Sequence, residues 1–257
     1  MDGTLTQARK PASDWMGHYL YNLSSYGKIG IVSGSSFDYI INQCSPLWSG
    51  TSPLRKGDIT LLPCNGTQKY SWDGRSWSSD YSNSIRDEIG NKNYQKLIRG
   101  ILSLQQKALI DDTLLKDVDV IGNFISYRES LVNWSMIGRD AKDKERESFI
   151  QVDHKRDIRP RLLEFLNENV LSRLTCKVIG SLGGDTSIDI CPEGWDKTYA
   201  LKYFKDSECW FVGDKCTGNG NDRTIYELLD KNKRAFQTKG PAETIDIISR
   251  IIETLEE

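Results

Sequence analysis

The chain has 257 residues, 38% of them hydrophobic and 27% charged, which is enough apolar material for one large or two small domains with real cores. Lys and Arg (34) nearly balance Asp and Glu (36), and the net charge of −2 argues against a dedicated nucleic-acid binder with its basic surplus. No apolar run reaches the ~18 residues that span a bilayer, and the opening MDGTLTQARK carries no hydrophobic signal segment, so a cytoplasmic protein is expected, with neither nucleic acid nor membrane as partner.

From the N-terminus, residues 13–26 (SDWMGHYLYNLSSY) read as a helix capped by Ser13 or Asp14. KIGIV (28–32) is a short buried strand that runs into the Ser/Gly loop 33–36, and a helix follows from Phe37 to Gln43. DITLLP (58–63) is a second apolar strand ending in a turn-like Cys-Asn-Gly. Helix alternating with short apolar strand predicts a parallel sheet faced by helices. Residues 71–84, rich in Trp, Ser, Asp and Gly, read as a crossing segment. Residues 85–110 are helical in pattern, and 120–138 (VIGNFISYRESLVNWSMIG) alternate as a solvent-faced antiparallel hairpin does. A charged helical stretch, 141–173, interrupted by Pro160, leads to two strands, TCKVIG (175–180) and TSIDIC (186–191). After Pro192 come a helix (DKTYALKYF), a strand (ECWFVGD, 208–214), a helix (NDRTIYELL), a strand (RAFQT) and an amphipathic closing helix over 241–256. The predicted architecture is α/β: a split Rossmann-like core of residues 1–80 and 192–257, with an α+β module of residues 81–191 inserted into it.

Six cysteines, none in a CxxC pair, read as reduced thiols. The two histidines, His18 and His154, are far apart in sequence, which disfavours a His-rich zinc site or a His-based triad. Carboxylates, hydroxyls, lysines and arginines are left to carry any chemistry, and that set suits Mg²⁺ and phosphate. Asp2 opens the loop MDGTLT, and Asp214 follows the strand CWFVG with Asp222 eight residues on. Aspartates at the C-terminal ends of parallel strands converge where such sheets bind ligands, and a cation relieves their repulsion. Taken alone, Asp222 reads as a cap or turn residue. Lys197, in GWDK just before a helix, suits a phosphorylated carboxylate, although composition alone favours an exposed helix-start lysine. Ser33 and Ser35 bring hydroxyls and free N–H groups to a helix start, a setting that suits a phosphate oxygen. Arg128, Arg139 and Arg146 offer forked, permanently charged phosphate donors, against the commoner reading of solvated surface arginine. Ser187 and Asp189 alternate along TSIDI and so face one side of a strand, to bind sugar hydroxyls or simply to decorate a wet sheet face.

MDGTLT with Arg9, RESLVNWSMIGR, SLGGDTSIDICPEGWDK and GDKCTGNGND stand in the order and spacing of the eukaryotic-type phosphomannomutases, a family of the haloacid dehalogenase superfamily, and the chain resembles that family over essentially its whole length. GGDTSIDICPEGWDK is the most specific stretch. The resemblance implies a haloacid dehalogenase core with a cap, interconversion of mannose 6-phosphate and mannose 1-phosphate, Mg²⁺ as cofactor, a hexose 1,6-bisphosphate as activator, and a homodimer formed through the cap. Trp134 is a candidate for that interface or for the cap core. Asp2 matches the family's general acid/base, and Lys197 the lysine that steadies the phosphoenzyme. Ser33 and Ser35 stand in its Gly-Gly-Ser loop. Arg9, Arg128, Arg139, Arg146, Ser187 and Asp189 match positions that contact substrate. Asp2, Asp214, Asp222 and Asp230 are the candidate metal ligands, Asp230 being the one acid left in ELLDKNK, where the family has a second cation loop. Cys64-Asn65-Gly66 stands where the family has Glu-Asn-Gly.

The family motif Asp-x-Asp-Gly-Thr begins here at its middle residue, Met1, so neither the nucleophilic aspartate nor the apolar strand before it is in the chain. The retained chemical positions favour a truncated or mis-started active enzyme over a degenerate one. The chain as it stands is expected to be inactive and poorly soluble, with two neighbouring strands left with unpaired edges. The competing functions are a Mg²⁺-dependent sugar-phosphate phosphatase and a non-catalytic sugar-phosphate-binding protein.

Overall fold

Strands and helices alternate singly over residues 14–62 and, among the described residues, over 197–256, whereas the middle of the chain runs in strand pairs and longer helices. The computed structural model describes residues 1–204, 208–218 and 220–256. In chain order the elements are α1 (Asp14–Ser24), β1 (Ile29–Val32), α2 (Phe37–Cys44), β2 (Ile59–Leu62), β3 (Gln68–Trp72), β4 (Trp77–Ser82), α3 (Ile85–Ile110), β5 (Ile125–Tyr127), β6 (Val132–Ser135), α4 (Asp143–Arg156), α5 (Ile158–Asn169), β7 (Val178–Gly183), β8 (Ser187–Pro192), a 3-10 helix (Lys197–Phe204), β9 (Phe211–Gly213), α6 (Arg223–Asp230), β10 (Ala235–Gln237) and α7 (Pro241–Glu256). Two units result: Met1–Ser82 with Gly194–Glu257, and Asn83–Glu193.

In the first unit Ser13 caps α1, its Oγ accepting from the Met16 N–H at 3.4 Å. β1 and β2 pair in parallel from Ile29 against Ile59 to Val32 against Leu62. The stretch expected to cross between domains is instead the hairpin β3–β4, which extends this sheet to the order β1-β2-β3-β4. Asp73 makes the turn: its Oδ1 accepts from the N–H groups of Arg75 (2.8 Å) and Ser76 (2.7 Å), and Gly74 takes the positive φ that the tight reversal needs. Trp72 and Trp77 then meet edge to face at 5.6 Å. β9 and β10 form a separate parallel pair. Among the described residues β1 closes one sheet and β9 the other, each with one edge unpaired. Between them lies an apolar groove of about 560 Å³, lined by Ile29, Ile31, Phe204, Phe211, Ile248 and Ile251 among others.

The second unit is one antiparallel sheet of order β5-β6-β8-β7. The 120–138 hairpin is solvent-faced only in its first half: β5 is partly exposed, whereas β6, paired by β5 and β8 at its edges, is buried along its whole length. Val132, Trp134, Ile188 and Ile190 point into a core shared with Leu97, Ile101, Phe149 and Leu166 of the helices. Trp134 is fully buried there, with its Nε1–H on Gln105 Oε1 at 2.7 Å, so it is core rather than a surface anchor. The charged helical stretch breaks at Asp157, in the left-handed region at φ 51°, rather than at Pro160. Pro160 falls in the first turn of α5, where a missing N–H costs nothing.

Candidate active site

In the first unit β1, β2, β9 and β10 are parallel within their sheets, so the loop after each strand leaves from its C-terminal end. Ser33 follows β1, Cys64 follows β2 and Asp214 follows β9. The first two loops are tied together: the Cys64 N–H donates to Ser35 O (3.0 Å) and the Asn65 N–H to Ser33 O (2.7 Å). Asn65 Nδ2 donates in turn to Trp195 O at 3.3 Å. Gly66 combines φ +86° with Ala200 atoms 2.6–2.9 Å from where a Cβ would sit, so only glycine fits between this turn and the 3-10 helix. The serine loop departs from expectation in one respect. Two of its N–H groups are already spent, that of Ser33 on Leu62 O (3.2 Å) and that of Ser35 on Ser33 Oγ (3.1 Å), so these donors are not free for phosphate.

Lys197 is not an exposed helix-start residue. It is 5% exposed and forms an ion pair with Asp222, itself 1% exposed. Asp222 Oδ2 also accepts from the Lys215 N–H at 3.1 Å. Burial works to push the Asp222 carboxyl up, yet the Lys197 charge and hydrogen bond hold it below the usual range. Asp214 goes the other way, raised by burial and by the Asp222 charge beside it. Thr4 Oγ1 donates to Asp214 Oδ1 at 3.4 Å, and a Cβ at Gly3 would overlap the Asp214 carboxylate, so the Asp2 loop runs directly against Asp214. Asp2 is half-buried and accepts from the Arg9 N–H at 3.0 Å, while Arg9 itself is exposed. Asp230 is exposed at the end of α6. Among the described residues no three acids, histidines or cysteines gather as a metal cage. Asp214 and Asp2 nonetheless offer hard oxygen donors, and the raised carboxyl of Asp214 is one that a cation would relieve, so the donor chemistry fits a hard divalent ion. Asp222 is committed to Lys197. Cys216, 2% exposed beside these acids, is no nucleophile: burial and the two carboxylates push its thiol up to about 12.

In the second unit the sheet residues that alternate with the core-facing ones are polar. Ser187 and Asp189 lie together, as their spacing predicts, and both meet Asn133 across the β6–β8 pair. Arg139 Nη1 donates to Asn133 Oδ1 at 3.1 Å. Arg146, on α4, donates to Thr186 Oγ1 at 3.0 Å. Arg128, in the β5–β6 turn, lies close enough for its charge to lower the Asp189 carboxyl, although burial dominates and leaves that carboxyl raised. The expected cap residues thus converge. Sequence reasoning passed over Asn133 and Thr186. The available signal was an asparagine inside the strand VNWS, where that residue is disfavoured, in phase with Ser135 and out of phase with Val132 and Trp134.

Such a core with an inserted α+β unit defines the haloacid dehalogenase fold class, and solved structures agree. Trehalose-6-phosphate phosphatase of Aspergillus fumigatus matches with a TM-score of 0.54 at 15% identity, covering 98% of this chain and 90% of that one. The Plasmodium falciparum IMP-nucleotidase matches with a TM-score of 0.66 at 13% identity, covering 98% of this chain and 60% of that one. At the sequence level, the model of eukaryotic phosphomannomutase matches residues 16–254. Similar relatives are a phosphomannomutase of Arabidopsis thaliana, 33% identical over 88% of this chain and 85% of its own length, and phosphomannomutase 2 of Dictyostelium discoideum, 31% identical over 97% and 93%. The chain belongs to the eukaryotic phosphomannomutase family. No helix among the described residues is long and apolar enough to cross a membrane.

Proposed function

We propose that this chain carries the machinery that moves a phosphoryl group between the 6- and 1-positions of mannose through an aspartyl-phosphate, in the cytoplasmic supply of GDP-mannose, with a hexose 1,6-bisphosphate as activator. The observation that carries this reading is that each unit holds its own anion-recognition set: Lys197 with the Asp214–Asp222 pair in one, and Arg128, Arg139 and Arg146 around Ser187 and Asp189 in the other. A phosphatase needs one phosphate site. A mutase needs two, because its bisphosphate intermediate must present either end.

Bound Mg²⁺, held by Asp214 beside the Asp2 loop, would offset the repulsion between phosphate and carboxylate. Lys197, ion-paired with Asp222, meets the phosphoryl oxygens as charge spreads over them, and the Ser33 hydroxyl adds a donor. Asp2 gives a proton to the departing sugar oxygen and takes one from the attacking oxygen. The cap arginines grip the distal phosphate bidentately, and Ser187 and Asp189 meet sugar hydroxyls. The family's nucleophilic aspartate is not among these 257 residues and Cys216 is no substitute for it, so the residues given are expected to bind hexose phosphates without turning them over. Among the described residues β1 and β9 present unpaired edges to an apolar groove, which suits a further strand between them. A homodimer through the cap is part of the proposal.

A non-catalytic sugar-phosphate binder is the second reading, favoured by the interlocked Asn133, Ser187, Asp189 and Arg139, an arrangement that holds a ligand without needing a nucleophile. Calorimetric titration of the chain with mannose 6-phosphate, alongside a coupled isomerase assay, tests both readings. Saturable binding with no turnover is expected. No binding by either mannose phosphate removes both readings, and steady release of inorganic phosphate makes the protein a phosphatase.

A further inference from the structure

Asn133 is 1% exposed in the middle of β6, a strand paired on both sides. A buried side-chain amide has two donors and an acceptor to satisfy. Here all are used. Nδ2 donates to Asp189 Oδ1 at 2.6 Å and to Ser187 Oγ at 2.9 Å, and Oδ1 accepts from Arg139 Nη1 at 3.1 Å. The amide's orientation is set by Arg139: a guanidinium only donates, so a flipped Asn133 would set its NH₂ against Arg139. Ser187 is fixed by the same partner. Its own proton goes to Gly183 O at 2.6 Å, which leaves its oxygen to receive from Asn133. The Asp189 carboxylate lies 2.6–2.8 Å from where a Cβ on Gly183 would stand, so it rests on bare backbone as well as on the amide.

We propose that Asn133 is the positioning residue of the sugar-phosphate site, holding the acceptor Asp189, the hydroxyl of Ser187 and the donor Arg139 in one preset arrangement before any ligand arrives. This deepens the reading above and rests on it. Asp189 and Ser187 address sugar hydroxyls, whereas inorganic phosphate needs only the arginines. Loss of Asn133 therefore weakens sugar-phosphate binding more than phosphate binding, a split that a merely structural role would not produce.

The test is calorimetric titration of the full chain and its variants with mannose 6-phosphate and, separately, with inorganic phosphate. For Asn133→Ala, mannose 6-phosphate affinity is expected to fall about tenfold or more, the scale of one lost charge-assisted hydrogen bond, and phosphate affinity less than about threefold. Gly183→Ala is a second probe that leaves the Asn133 amide in place. Gly183 is not among the positive-φ glycines, so the backbone tolerates alanine while the new methyl displaces Asp189, and the same selective loss is expected. Equal losses for both ligands, or unchanged mannose 6-phosphate binding in both variants, overturn the proposal alone. A wild-type chain that binds neither ligand overturns the sugar-phosphate reading, and this inference with it.

Discussion

The two units contrast in how their sheets are closed. Residues 83–193 hold four strands in one unbroken antiparallel sheet over a continuous apolar core, with Leu97, Ile101, Trp134, Met136 and Phe149 all fully buried. Among the described residues, 1–82 with 194–257 hold their strands in two sheets, and their apolar side chains include a cluster around Ile31, Ile40 and Leu61 and a smaller one around Phe211 and Ile225. The polar residues differ in parallel. In the closed unit they interlock through Asn133; in the divided one they sit on loops beyond strand ends, stabilised chiefly by the Lys197–Asp222 pair. An interlocked polar set and a loop-borne one thus lie on different scaffolds within one chain.

That contrast predicts measurable differences. Lys197→Met strands a buried carboxylate and should cost about 3–5 kcal/mol, whereas the double variant with Asp222→Asn should recover much of the loss. Chemical denaturation of the three proteins reads this, and a full cost in the double variant would mean that the pair is not the unit's main polar support. A matched pair of leucines comes next. Leu97→Ala, in the closed core, should cost about 3–5 kcal/mol, and Leu201→Ala, on the groove, about 1 kcal/mol or less. Equal costs would show that the groove is packed in solution. Hydrogen exchange should give β6 and β8 amides roughly 100-fold more protection than those of β1 and β9, whose outer edges lack partners among the described residues. The smallest effect is in pH. Asp189 is raised above its unfolded value of 3.8, so the folded state holds its proton longer, and this group's contribution to stability falls as pH rises through the folded pKa. Asp222 is lowered, so its contribution is present above 3.8 and is lost as pH falls through the folded pKa. Asp189→Asn should flatten the first slope in a pH series of melts and leave the second.

Much of this was legible in the sequence because the physics involved is local. Apolar runs such as KIGIV and DITLL followed by small polar loops specify strands with loops at their C-terminal ends, and Ser187 and Asp189 share a face because strands alternate. The β3–β4 hairpin was missed although Asp73-Gly74 marks its turn, because serines and a tryptophan pair obscure the alternation. The burial of β6 was missed because its polar residues resemble a wet face, while their hydrogen bonds come from β8, more than 50 residues away. The burial of Lys197 is likewise set by a partner 25 residues on. Periodicity does not report contacts of that range.

The proposed mutase reaction uses two anion-recognition sets, one in each unit. Its most direct test is phosphorus NMR of mannose 1-phosphate with Mg²⁺ and a hexose 1,6-bisphosphate, using the chain extended at its N-terminus by four apolar residues and an aspartate. The account predicts a growing mannose 6-phosphate signal, with little inorganic phosphate. Inorganic phosphate as the main product, or an unchanged spectrum from a folded extended chain, would contradict it.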